Sequence, residues 1–185
     1  MGRLYVMIYC LPLHIAVILA AELLFVWYLL GSWFMQAGLG ARRGWAVFRA
    51  LLLAAWLAGI LHMTVFSRSG GSVQVLLEPF HQLRAYWAGG DRELLRTLAM
   101  NVLLFLPGGL LLASLWPGRW PGWARMALTV VLLAALSAGV EAVQYRYALG
   151  CVETDDVLCN ALGALLGAAA HQVCGWAAAR YIKNN

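Results

Sequence analysis

Apolar runs of about twenty residues recur along this chain, and they constrain its fold more than any other feature. A helix needs roughly 20 apolar residues to cross the hydrocarbon core of a bilayer. Five such runs are legible: about Leu4 to Leu30, Trp45 to Phe66, Leu98 to Leu115, Ala124 to Tyr145, and Asp156 to Ala178. Composition agrees. Of 185 residues, 63% are hydrophobic and 11% charged, and the mean hydropathy is +0.77. A soluble domain is closer to half apolar and a quarter charged. The pattern predicts an all-α, polytopic membrane helix bundle of about five transmembrane helices, forming a single membrane domain over residues 1–185. The first run is longer than the apolar core of a signal peptide, about 7–15 residues, and reads as a retained span.

The formal net charge of +5 would suggest nucleic acid in a soluble protein. Here the basic residues flank apolar runs, so they report membrane topology instead, and no nucleic-acid partner is expected. With five spans, Arg42, Arg43, Arg49, Arg119, Arg125, Arg180 and Lys183 share one side with no acid among them. Arg3, Arg68, Arg84, Arg92, Arg96 and Arg146 share the other side with Glu78, Asp91, Glu93, Glu153, Asp155 and Asp156. Four of that second set lie in the longest loop, so the positive-inside rule places the amino terminus outside and the carboxyl terminus inside. Trp33, Trp45, Trp116, Trp120, Trp123 and Trp176 cluster toward the inner ends as an interfacial belt would.

Smaller signals add detail. The "LPGG" at 106–109 predicts a kink or local unwinding, since Pro107 removes a backbone donor. The "GALLG" from Gly163 to Gly167 is a small-xxx-small pattern that lets helices approach closely. The outer loop 67–97 carries "LEPFHQLRAYW", which suits a short amphipathic or re-entrant helix. Cys10, Cys151, Cys159 and Cys174 lack metal-ligand spacing. Neither a metal nor another cofactor is expected. His14 and His62 read as packed residues, Glu22 as a structural partner of Arg49, and His81 as a neighbour of the outer polar cluster.

That cluster is the functional signal. Ser137, Glu141 and Gln144 follow i, i+4, i+7 spacing and so share one helix face near an outer end. Asp156 and Asn160 are four apart at the outer end of the next span, and Asn101 lies about one turn into the span that starts outside. Three spans thus bring carboxylates and amides to one membrane depth. Intramembrane ionisable residues are costly and by default face the bundle interior or a water-filled cavity. Arg68 and Arg146, each just after a span, are the natural cations to pair with them. The expectation is a polar cavity opening outward, lined by Arg68, Asn101, Glu141, Gln144, Arg146, Asp156 and Asn160.

These residues also carry a resemblance. The series "TVFSR" (64–68), "EPFHQLR" (78–84), "NVLLFLPGGLLL" (101–112), "SAGVEAVQ" (137–144) and "VETDDVLCNALGALLG" (152–167) resembles the VanZ-like family of bacterial membrane proteins over about residues 60–170. By position, the family's polar signature falls on Arg68, Asn101, Glu141, Gln144, Asp156 and Asn160. Its structural motifs fall on Pro79, Phe80 and Pro107, while Gly163 and Gly167 belong to the block that carries the resemblance most specifically. Glu153 and Asp155 match an acidic run before the key Asp156. Many members carry a basic residue just after the position of Gly150, where this chain has Cys151, which leaves Arg68 or Arg146 to serve in its place. The resemblance implies a multi-pass protein of the bacterial plasma membrane, linked to teicoplanin resistance or envelope physiology.

The residues leave three readings open. The cavity binds an envelope ligand, with a lipid-linked or peptidoglycan-related headgroup or a glycopeptide as the class. Alternatively, Glu141 and Asp156 act as acid and base in an intramembrane enzyme, although no HExxH, P-loop or GxSxG motif is present. Or the cluster is interhelical glue in a structural protein. A hard-cation site is a lesser variant, and a transporter lacks its usual inverted repeat.

Overall fold

The computed structural model describes residues 26–27, 30, 39–68, 70–71 and 73–184. The first apolar run, with Cys10, His14 and Glu22, lies outside the described residues apart from Val26, Trp27 and Leu30. The rest is built almost wholly of helices: α1 (Leu39–Leu61), α2 (His81–Gly89), α3 (Arg92–Leu115), α4 (Gly122–Arg146) and α5 (Thr154–Asn184). A three-residue strand β1 (Gln74–Leu76) pairs in parallel with β2 (Cys151–Glu153), with Val75 opposite Val152. Among the described residues, four helical segments are long and apolar enough to cross a membrane: Ala41–Phe66, Arg92–Leu115, Gly122–Arg146 and Thr154–Ala177. They coincide with the last four of the five runs read from the sequence.

The end of α1 passes into one π-turn, His62–Phe66, where the Ser67 N–H reaches back to the His62 carbonyl at 2.8 Å. The hydroxyls of Thr64 and Ser67 donate to the Ile60 and Met63 carbonyls at 2.7 and 2.8 Å. Hydroxyls that bond back to the preceding turn loosen a helix locally, and such turns often sit at functional sites.

The loop 67–97 folds into α2, as its amphipathic pattern suggested. It ends at Gly90, whose left-handed φ of 70° lets its N–H bond the Tyr86 carbonyl at 2.7 Å. Helix α3 begins at Arg92, well before the apolar run at Leu98. The Asp91 side chain caps it by accepting from the Glu93 N–H at 2.9 Å. The helix then runs unbroken through Pro107, so the local unwinding expected there is absent. Proline forfeits one backbone hydrogen bond, but tight packing against α5 holds the helix together.

Among the described residues, that packing is the most extensive. A Cβ built on Gly167 would sit 2.7 Å from the Leu110 nitrogen, and one on Gly109 equally close to the Ala164 Cα. A Cβ on Gly163 would press on the Val102 carbonyl carbon at 3.0 Å. The small residues of "GALLG" therefore bring the α3 and α5 backbones into direct contact. Beside this seam, Ile60, Phe105, Leu133 and Ala164 form a buried core. Trp56 meets Phe105 edge-on at 5.4 Å and donates its indole N–H to the Leu104 carbonyl at 3.0 Å.

At the other end, Arg49 donates to the Ser114 carbonyl at 2.6 Å, where a cation complements the C-terminal end of α3. Trp116 and Trp120 stack at 5.5 Å, and the Trp116 indole donates to the Thr129 hydroxyl at 2.9 Å. Apolar side chains such as Leu51, Val131 and Leu162 remain exposed on the outer helix faces, as a lipid solvent requires.

Candidate functional site

Four helices end or begin at the same level, and a cavity opens between them. Its polar lining comes from Thr64 and Arg68 after α1, Asn101 on α3, Ser137, Glu141 and Gln144 on α4, and Asp156 and Asn160 on α5. Ile60, Met63, Leu104, Phe105 and Val140 supply the apolar wall, so the cavity rests directly on the Trp56–Phe105 core. About 30 Å3 is open to water-sized groups, room for on the order of two waters.

Each wall residue is held by a specific partner. Asn101 Nδ2 donates to Asp156 Oδ1 at 2.6 Å, tying α3 to α5. Asn160 Nδ2 donates to the Ser137 hydroxyl at 2.8 Å, tying α5 to α4. Gln144 Nε2 donates to the Thr64 carbonyl at 3.0 Å and so engages the π-turn of α1. Glu141 Oε2 accepts from the Glu153 backbone N–H at 3.1 Å. That N–H is presented by β2, which the pairing with β1 fixes across the loop 147–153. The guanidinium of Arg68 reaches the Leu149 carbonyl at 3.5 Å and lies against Gly150, whose φ of 128° keeps the backbone open there. Buried polar groups at this density are held by partners, and the partners here fix their directions.

The acidic run divides its labour. Asp156 faces the cavity. Asp155, next to it and only 4% exposed, faces away and closes the N-terminus of α2. One of its oxygens accepts from the Phe80 N–H and the other from the Gln82 N–H, the latter at 2.8 Å. A carboxylate at a helix N-terminus satisfies free N–H groups and complements the dipole. Phe80, at the N-cap, adopts a left-handed φ of 61° to make this approach. Glu153 accepts from the Gln82 side chain, and the Thr154 hydroxyl donates to the Leu77 carbonyl at 3.2 Å. The Pro79–Phe80 motif thus belongs to a clamp that ties α2 to the start of α5.

Of the sequence-derived candidates, Arg68, Asn101, Glu141, Gln144, Asp156 and Asn160 come together around the cavity. Arg146 does not: it is exposed, with its guanidinium 5.7 Å from the Tyr147 ring centre. One α-helical residue advances 100°, so two residues beyond Gln144 a side chain leaves the inner face. His81 also stands outside the lining, at the first turn of α2. Thr64 and the backbone N–H of Glu153 escaped the sequence reading. Ser137 joins the lining as well, and its i, i+4 spacing to Glu141 is the signal in the sequence that points to it.

The three described cysteines, Cys151, Cys159 and Cys174, are free thiols. Burial pushes the Cys151 thiol up to about 12, helped by its hydrogen bond to Glu153 and the surrounding carboxylates, so it stays protonated at neutral pH. Among the described residues, no group of three or more His, Cys, Asp or Glu could hold a metal ion.

Together these features define a class: a multi-pass membrane helix bundle with ionisable groups enclosed between its helices. The sequence family is equally definite. The VanZ/LLP1 family model matches residues 46–175, well over half the chain, and the chain belongs to that family. The match begins in α1, somewhat before the motifs at 60–170. No curated protein and no solved structure matches the chain.

Proposed function

We propose that the cavity formed by Arg68, Asn101, Glu141, Gln144, Asp156 and Asn160 binds the polar headgroup of an envelope lipid or peptidoglycan-related precursor. In this reading, residues 1–185 form a single domain in a bacterial plasma membrane, with the amino terminus outside, the carboxyl terminus inside and the cavity facing out. One observation carries it. Two carboxylates and a guanidinium line a space that the protein leaves open, although they come from segments far apart in the chain. Ionisable groups in a membrane-spanning bundle are retained at a cost and mark ligand or ion pathways. Glue alone would call for complementary pairs that fill the space between them.

Family membership points to glycopeptide response as the readout. Teicoplanin susceptibility is measured in a sensitive Gram-positive host producing wild type, Glu141→Gln or Asp156→Asn at equal membrane levels. Resistance from wild type alone supports the reading. Equal resistance from all three overturns it and makes the cluster scaffold.

A further inference from the structure

The chemistry of the open positions is one-sided. The amide donors of the wall are turned into the protein: Asn101 Nδ2 to Asp156, Gln144 Nε2 to Thr64, and Asn160 Nδ2 to Ser137. Among the described residues, Glu141 and Asp156 each accept a wall N–H through one of their two carboxylate oxygens. Asn160 is only 8% exposed, and its Oδ1 is buried with no hydrogen-bond partner among the described residues. Leaving a buried acceptor unpaired is unfavourable, so this oxygen can take a donor. Asn160 lies four residues along α5 from Asp156, about 6 Å further in. Glu141, Asp156 and Asn160, each bearing an acceptor oxygen, thus share the cavity lining, with Asn160 the deeper of the α5 pair. The cation of the lining, Arg68, stands at the loop beside Leu149 and Gly150.

We propose that the cavity takes the primary ammonium of a zwitterionic lipid headgroup, seated on Glu141, Asp156 and Asn160, with the headgroup phosphate at Arg68. This inference rests on the headgroup reading above and narrows it to one class. Charge selects the cation: two carboxylates face one guanidinium in the lining. Geometry selects a donor, because three N–H bonds of an ammonium match three acceptors. Size selects a primary amine. About 30 Å3 accommodates an –NH3+ group, comparable to a water, but not the three methyl groups of a choline. A guanidinium suits the phosphate that follows two carbons away in such a headgroup.

The test is native mass spectrometry of the purified full-length protein. It is titrated with phosphatidylethanolamine, its N-methylated derivatives, phosphatidylcholine and phosphatidylglycerol, all with the same acyl chains. Wild type is expected to retain phosphatidylethanolamine about tenfold more tightly than phosphatidylcholine or phosphatidylglycerol, with affinity falling at each methylation. Asp156→Asn is expected to abolish the difference. Competition by soluble phosphoethanolamine assigns recognition to the headgroup itself, and its failure assigns it to the anchored lipid. Both results keep the ammonium site. Equal retention of phosphatidylcholine, or preference for phosphatidylglycerol, overturns the ammonium site while leaving a headgroup cavity. Identical lipid retention by wild type and the Glu141→Gln/Asp156→Asn protein overturns both. The methylation series uses wild type alone, so no folding defect can mimic its result.

Discussion

Asp155 and Asp156 are adjacent carboxylates with opposite duties, and substitution should separate them. Asp155 closes the N-terminus of α2 through two backbone N–H groups. Replacing it by Asn keeps one acceptor and loses the charge, at a cost of about 1–3 kcal/mol. The unfolding midpoint in detergent should fall accordingly. Asp156→Asn keeps an oxygen for Asn101 and should leave that midpoint nearly unchanged. A second prediction concerns Cys151. With its thiol pushed up to about 12, its thiolate fraction rises tenfold per pH unit up to that value. Its methanethiosulfonate labelling rate should climb the same way, whereas an ordinary cysteine levels off above about 8.5. A plateau near pH 9 would contradict the burial described for this thiol. At this scale much was readable beforehand. Spacing along single helices put Glu141 with Gln144 and Asp156 with Asn160, because helical periodicity alone fixes which residues share a face. It could not expose the split between Asp155 and Asp156, because that depends on α2, 75 residues away, arriving over the start of α5.

Among the elements, the α3–α5 seam carries the architecture. Gly163 and Gly167 touch the α3 backbone directly, so even a methyl group must displace it. Gly167→Ala should sharply reduce folded protein, seen as loss of the monodisperse peak in detergent. Gly139→Ala on α4, where nothing lies within 4 Å of the added atom, should be neutral or slightly stabilising. Pro107→Ala should also keep the fold, since α3 is already continuous there. A fold loss in that variant would show that contacts of the proline ring, rather than helix continuity, are needed there. The small-xxx-small pattern foretold this seam correctly, because close approach requires small side chains whatever the partner. The unwinding expected at "LPGG" failed for the complementary reason. A local propensity was outweighed by tertiary contact, including Trp56 packed against Gly108. The parallel strand pair left no usable trace, as three-residue strands are too short for alternation to show.

Across the whole molecule, the long apolar runs sufficed to define a membrane bundle, since hydrocarbon thickness sets helix length. Orientation remains a statement about charge. If the basic ends lie in the cytoplasm, an alkaline phosphatase fusion at the carboxyl terminus should be inactive, and one inserted at Gly89–Gly90 in the outer loop active. The reverse pattern would turn the cavity toward the cytoplasm and remove extracellular ligands from consideration. Whether the polar cluster serves a ligand or holds the helices together is decided by the unfolding midpoint of Glu141→Gln/Asp156→Asn, measured beside teicoplanin susceptibility in the same host. Both replacements keep the size and one acceptor oxygen of the groups they replace. A ligand-binding cluster gives a midpoint within a few degrees of wild type together with lost resistance. A midpoint that collapses along with resistance, or resistance that survives intact, would contradict that role.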